Sequence, residues 1–555
     1  MSSADVIIEN ARILTMDPAR PFAEAIALRG GTILAIGSRA EVAEAAGSAG
    51  RRIDAGGASV LPGLIDSHIH LFTGGAQLAS LSLAGLTGFE RIATAIRQRA
   101  QTDASRVLIA EQAAYFMFGD DQPITRQLLD RVLPDRPLAL FASDHHTMWA
   151  NTKALEAAGI LHGKDVPPGN EIVMGADGLA TGELREFEAM APISSLTPTG
   201  GREMLGLAGH EPKIPPTAAD RAVDKEIIKQ GLAYCASLGI TSFHNMDGNF
   251  YQLELLGEIE AAGELIVRGR VPFRFTPGMA LAELEKAVEM RARWHSDRLK
   301  ADFVKIFMDG VVESTTAHMF EDYIGSPGVR GASYFEQDEF DAICTEIDRL
   351  GFQITVHAIG DLAVNRTLNS YEAARRANGA RDSRHRIEHI EVLAPRDLNR
   401  FAELGVLASM QPTHAPGGYY PPEPILSMIG RERMMLAYPW QTLRNTGARL
   451  VFASDWPVAP LDPLLGIMTA MTRGPVFEGA PDERQSLEDS IAGFTRDGAF
   501  AEFAEAGKGV LKPGAVADVV ILDGDIEKTE PGEIDAMKVA ATICGGQLTY
   551  ERGAA

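Results

Sequence analysis

Cysteine is scarce in this chain. Cys235, Cys344 and Cys544 are the three cysteines among 555 residues, they lie far apart, and no CxxC pair occurs. So small and odd a set argues against a disulfide framework and points to a reducing compartment. Long apolar runs are missing too: no stretch of roughly 18 consecutive apolar residues occurs, so no membrane span is expected. The N-terminus, MSSADVIIEN, lacks a basic segment followed by an apolar one, so no signal peptide is expected and the predicted location is cytoplasmic. Positive charge is in short supply. Fifty-two Lys and Arg face 75 Asp and Glu, a formal net charge of −23. That balance argues against nucleic acid and against anionic membrane surfaces, both of which reward clustered cations. No fixed-period repeat and no low-complexity tract is present.

What is present is an ordinary globular composition, 45% apolar and 23% charged, with ample material for a large core. Both ends are strand-rich. ADVIIENARILTMD and AEAIALRGGTILAIG at one end match GVLKPGAVADVVILDGD and KVAATICGGQLTYERG at the other, and Gly30-Gly31 signals a hairpin. The economical reading is one small β-sandwich domain built from residues 1–60 and 485–555. Between them, short apolar strands alternate with helical stretches, the pattern of βα units and a parallel sheet. Eight runs qualify as strands: VLPGLIDSHIH, GITSFHNM, GRVPFRFTP, DFVKIFMDG, FQITVHAIG, HRIEHIEVL, GVLASMQPT and RLVFASDWPV. Each turns polar at its C-terminal end, where a (β/α)8 TIM barrel carries its active site. The predicted fold is therefore α/β, a barrel over 61–484. The first two strands are too far apart for a bare loop. Strand-like RVLIAEQA and RPLALFASD and helix-like NTKALEAAGI lie between them, so residues 72–229 are expected to form an inserted subdomain near the barrel mouth.

The chemistry concentrates at the strand ends. In Asp66-Ser67-His68-Ile69-His70, alternate residues of a strand point the same way, so His68 and His70 share a face. Two such histidines make a bidentate seat for zinc or a similar divalent ion. Lys305 in VKIFMDG, His357 in TVHAIGD, His389 in RIEHIE and Asp455 in FASDWPV fall at the same end of other strands. Six such placements together are hard to attribute to chance.

These residues carry a resemblance. LPGLIDSHIH, SDHHTMWANTKALEAAGI, TGELRE, VKIFMDG, TVHAIGD, RIEHIE, ASDWPVAPLDPL and GVLKPGAVADVVILD occur in the order seen in the amidohydrolase superfamily, in the branch that includes N-substituted formamide deformylase. The resemblance spans almost the whole chain. It implies that His68, His70 and Asp455 bind one metal ion and that His357 and His389 bind a second. It implies that Lys305 is carboxylated and bridges the two, because a carbamate offers two anionic oxygens where an ammonium would be repelled. Zinc suits this donor set, and Mn²⁺, Fe²⁺, Co²⁺ or Ni²⁺ could take the same ligands. By the same implication, metal-activated hydroxide attacks a carbonyl carbon while Asp455 moves the proton to the leaving nitrogen. His146, in a His-x-x-Trp-x-Asn pattern with Trp149 and Asn151, could donate to the carbonyl oxygen. Glu183, His318 and Trp456 are further candidates for substrate contact, and a homodimer is possible.

The leading expectation is a metal-dependent hydrolase that cuts a C–N bond, amide, N-acyl or N-formyl, in a small, partly apolar molecule. An esterase or lactonase on the same site and a metal-dependent decarboxylase are the alternatives, with a non-catalytic binding protein behind them. Fold alone does not choose among these.

Overall fold

The two ends of the chain meet in one pair of sheets. The computed structural model describes residues 4–553 except 48, 120–121, 143–146 and 168–169. Ala4–Glu9, Ala25–Arg29, Thr32–Gly37 and Ala49–Asp54 form a four-stranded sheet. Arg12–Leu14, Phe22–Ala23 and Ser59–Pro62 join Val519–Leu522, Val539–Cys544 and Gln547–Glu551 in a six-stranded one. Gly30 and Gly31, at φ +55° and +81°, make the two-residue turn that pairs Arg29 with Thr32, a geometry that needs left-handed backbone at both positions. Ile8, Ile26 and Ile33 of the first sheet pack in one apolar cluster with Ile13, Val60, Val519, Ile521 and Ile543 of the second. Between residues 485 and 518 lie two short helices and a run of turns. Leu487–Gly493 and Arg496–Ala501 pack on the parallel strand Leu450–Phe452.

The middle of the chain supplies parallel strands that are buried on both faces. Leu64–Ile69 pairs with Ile240–Asn245, which pairs with Arg268–Arg270 and through it with Leu299–Lys300. A second parallel run contains Phe273–Arg274, Phe303–Phe307, Gln353–Ala358, Arg386–His389, Leu407–Met410 and Leu450–Phe452 in that order. A parallel bridge between Ile69 and Trp456 links the far end of the second run to the first strand of the other. The predicted strand GRVPFRFTP is split in two. Pro272 falls at the break and has no N–H to give a ladder. Helices return between these strands. Gln337–Arg349 shows why such a segment is helical: Phe340, Ile343, Cys344 and Ile347 recur at helical spacing and are buried. Asp338 and Glu339 in its first turn and Arg349 in its last complement the helix dipole.

Two compact units emerge. One contains residues 1–70, 207–210 and 232–555; the other contains 71–206 and 211–231. The second unit has its own sheet, ordered Glu171–Met174, Ala180–Arg185, Thr147–Ala150, Leu138–Ala142, Leu108–Ala113 and Leu81–Ser82. Asn151 ties that sheet to a helix. Its side-chain oxygen accepts from Ala154 N at 2.9 Å, capping Thr152–Ala157, and from Leu138 N at 3.0 Å. Its amide donates to Leu133 O at 2.8 Å and Arg136 O at 2.9 Å. Asn151→Ala is expected to destabilise this unit by about 2 kcal/mol or more, the sum of a lost cap and unpaired buried groups. Urea unfolding followed by limited proteolysis reads this directly, and a change below about 0.5 kcal/mol would contradict it. Among the described residues, no helix is long and apolar enough to cross a membrane. The three cysteines are free and buried.

Candidate metal centre

The histidines predicted from strand ends meet in one unit of the structure. Strand alternation from Asp66 carries the side chains of His68 and His70 to the same side, and both are buried, at 1% and 8% exposure. Asp66 holds this end in place. Its carboxylate accepts from His68 N at 3.1 Å and from Ser454 N at 3.1 Å, which joins the first parallel strand to the segment carrying Asp455. Asp455 Oδ1 lies 3.2 Å from His68 Nε2 and 3.3 Å from His70 Nε2, and neither contact has the geometry of a hydrogen bond. His68, His389 and Asp455 bring ligand atoms within 4.8 Å of one another. His357 lies beside them, its ring centroid 4.5 Å from that of His389.

Every one of these rings is steered from behind. Glu388 Oε2 sits 2.8 Å from His68 Nδ1, and Asp247 Oδ1 sits 3.0 Å from His70 Nδ1. The Gln411 amide lies 2.9 Å from His389 Nδ1, and Gly310 O accepts from His357 Nε2 at 3.2 Å. With one nitrogen engaged by an outer acceptor, the lone pair of the other is left for a cation, the arrangement by which proteins orient metal-binding imidazoles. None of Glu388, Asp247 and Gln411 stood out in the sequence. A signal was there for Glu388: Arg386 and Glu388 are charged residues in a strand buried at all four positions, and buried charges must be paired.

The electrostatics suit a cation. Burial holds His357 and His389 well below the ordinary imidazole range, so both rings are neutral. Burial also opposes charge on His70, but its bond to Asp247 and the nearby Asp455 carboxylate prevail and push it up to about 9. Burial works against the Asp455 carboxylate as well. Here the adjacent His68, His70 and His389 imidazoles prevail, and Asp455 stays well below the usual carboxylate range. Desolvation brings the Lys305 amine down to about 7. Lys305 Nζ and Asp455 Oδ1 are buried with no hydrogen-bond partner. Unsatisfied buried polar atoms beside neutral imidazoles are what a divalent cation would satisfy, so the donor set fits the metal.

A family model described as the amidohydrolase family matches residues 51–550. The chain belongs to the amidohydrolase family. It is an enzyme of the hydrolase class. Its relatives include the protein LONG AFTER FAR-RED 3 of Arabidopsis thaliana, 32% identical over 99% of this chain and 92% of that one. N-substituted formamide deformylase of Arthrobacter pascens is 26% identical over 99% of this chain and 98% of that one. An uncharacterized metal-dependent hydrolase from Pyrococcus furiosus shares the fold at a TM-score of 0.72, with 25% identity over 95% of this chain and 99% of that one. The solved relatives have mixed α/β folds of the TIM-barrel type.

The remaining predicted residues of this amidohydrolase lie in varied places. His146 falls outside the described residues. Trp149 and Glu183 are cross-strand neighbours in the sheet of the second unit. Trp149 is 3% exposed and packs edge-on to Tyr115 within that unit's core. Glu183 accepts from Arg185 Nε at 2.7 Å, and Arg185 also pairs with Glu171, an exposed ion-pair cluster. Asn151 is the cap described above. His318 follows the strand Phe303–Phe307. Its backbone N–H donates to Asp309 Oδ2 at 2.8 Å, its Nδ1 has no partner, and burial brings it down to about 4. Trp456 packs on Tyr234 with ring centroids 5.6 Å apart, and its carbonyl accepts from His70 N at 2.8 Å.

Proposed function

We propose that this amidohydrolase uses a divalent metal to cleave the C–N bond of a small, partly apolar amide, N-acyl or N-formyl compound. The observation that carries the reading is the meeting of His68, His389 and Asp455, with His70 Nε2 on the same Asp455 oxygen. The parallel strands are read as a (β/α)8 barrel, with the six predicted ligands at its C-terminal end, and the paired terminal sheets as a β-sandwich. His68, His70 and Asp455 would hold one ion, and His357, His389 and Lys305 would lie towards a second. Four imidazoles and a carboxylate suit Zn²⁺. Bound there, a divalent ion supplies Lewis acidity towards a carbonyl oxygen and lowers the pKa of water.

The chain's own groups do the rest. Asp455 is ionised at neutral pH and stands where it can take a proton from the attacking water and return it to the leaving nitrogen. Glu388 and Asp247 keep His68 and His70 from turning. Lys305, with its amine at about 7, is largely neutral above that pH and is available to react with CO2. Its nitrogen then forms a bond to the carbon of CO2 and loses a proton, which leaves a carbamate whose oxygens replace an unpartnered buried amine.

Elemental analysis with a substrate panel tests this reading. The purified protein is expected to carry at least one divalent ion per chain and to hydrolyse amides in a panel that also holds esters and lactones. Removing the ion with a chelator should lower the rate by more than about 100-fold, since Lewis-acid stabilisation is worth several kcal/mol. Zinc with bicarbonate above pH 7 should restore it. Metal-free protein that hydrolyses amides at the full rate would refute the proposal.

A further inference from the structure

The turn after the parallel strand Leu407–Met410 carries polar atoms that the fold leaves unused. Among the described residues, Gln411 Nε2, Thr413 Oγ1 and His414 Nε2 are buried without a hydrogen-bond partner, so every polar side chain of the segment Gln411–His414 has one such atom. Native proteins seldom leave buried polar atoms unpaired, and a cluster of them calls for a ligand. Gln411 already has one task, since its amide oxygen lies 2.9 Å from His389 Nδ1 and steers that ring. His414 has none so far.

His414 ends the short turn Pro412–His414. Its backbone N–H donates to Gln411 O at 3.1 Å, and its ring lies nearly parallel to that of His389, at 7°, with centroids 6.2 Å apart. Its side chain is 10% exposed, and Nε2 lies 4.0 Å from Asp455 Oδ2, too far for a hydrogen bond. Asp455 Oδ1 is the oxygen beside His68 and His70, so His414 stands at the other oxygen of the same carboxylate. An imidazole nitrogen that faces a carboxylate is assigned the proton, which makes Nε2 a donor.

The spacing fits one amide group. The oxygen and nitrogen of an amide share a carbon and lie about 2.2 Å apart by standard bond lengths. Nε2 and Oδ2, 4.0 Å apart, can therefore reach one atom each through hydrogen bonds of about 2.9 Å. In the proton path proposed above, Asp455 serves the nitrogen, which leaves the oxygen to His414. We propose that His414 is a further catalytic residue, whose Nε2–H donates to the carbonyl oxygen of the substrate as that oxygen gains charge. His414 keeps its proton throughout. A fixed, buried donor of this kind stabilises the charged oxygen more than the neutral carbonyl, which is what lowers a barrier. The proposal rests on the metal-dependent reading above and adds to it a donor from the protein.

His414→Asn tests it, assayed on the amide that the wild type cleaves fastest. Its kcat should fall by about 10²–10³-fold, the loss seen when one such donor is removed. KM should stay within about threefold of the wild type, because the bond strengthens only in the transition state. The ions per chain and the unfolding midpoint should match the wild type, whereas a merely structural role would lower one of them. His414→Gln, whose longer side chain can bring an N–H near the Nε2 position, should recover at least about tenfold in kcat over His414→Asn. A kcat within about threefold of the wild type, or a loss that follows the metal content, would overturn the role of His414 and leave the metal-dependent reading intact. A wild type that hydrolyses no amide would overturn both. Wild-type crystals with a bound phosphonate analogue of the cleaved amide give a check that needs no variant to fold. A phosphonyl oxygen within hydrogen-bond distance of His414 Nε2 supports the role, and a bound analogue with every oxygen beyond about 3.5 Å overturns it.

Discussion

Asp455→Asn is expected to leave the protein folded and to lower amide hydrolysis by about 10²–10⁴-fold, the range of a lost general acid–base group. The backbone argument makes this a clean test. Asp455 has φ +62°, a left-handed conformation that few side chains tolerate and that Asn adopts readily. The substitution therefore keeps shape and backbone while removing the charge. That charge matters because Asp455 stays ionised despite burial, held by His68 and His70, with one oxygen lacking any hydrogen bond. Circular dichroism should match the wild type, and the loss should appear in kcat. A rate within about tenfold of the wild type would remove Asp455 from the proposed proton path.

Arg386→Met should produce the largest loss of stability, about 3–5 kcal/mol, because it strands a buried carboxylate. Arg386 and Glu388 are both fully buried. The guanidinium grips Glu388 through two bonds, at 2.9 and 3.0 Å, and donates to Ser67 O at 2.7 Å and Ser409 Oγ at 2.9 Å. It also reaches His244 Nδ1 at 2.6 Å. Burial brings His244 down to about 4, so its ring is neutral; Nδ1 accepts from Arg386 and Nε2 donates to Glu502 at 3.1 Å. Lys508 closes the chain with a 2.7 Å contact to Glu502. Removing Arg386 breaks this line in the middle and, among the described residues, leaves Glu388 hydrogen-bonded to His68 alone. The double variant Arg386→Met, Glu388→Leu removes both charges and is expected to regain part of the loss. Its metal affinity should nonetheless fall by about 10–100-fold, because His68 loses the carboxylate that orients it. Denaturant unfolding measures the first effect and zinc titration the second. A single variant as stable as the wild type would show that Glu388 does not depend on Arg386.

Much of this protein was legible in local sequence. The family and the hydrolase class follow from motifs in fixed order across the chain. HxH could be read because alternation along one strand is a local property, settled by backbone geometry before any packing. The Gly30-Gly31 turn could be read for the same reason, since only left-handed backbone closes it. Pro272 marks the break in a predicted strand through chemistry that every proline carries.

Tertiary structure decided which of these residues meet. His68 and His389 are 321 positions apart by number, and their rings lie 4.9 Å apart because of how the parallel strands pair and bend. His389 and Asp455 leave ordinary strand geometry, at φ +77° and +62°, a turn that no motif announces. The pairing of strands likewise brought Glu388, Asp247 and Gln411 to three of the histidines as partners. The sequence alone determined the kind of chemistry, because ligand types and alternation are written residue by residue. The pairing of strands determined which side chains share a cation, because that depends on distances between segments that sequence order does not encode.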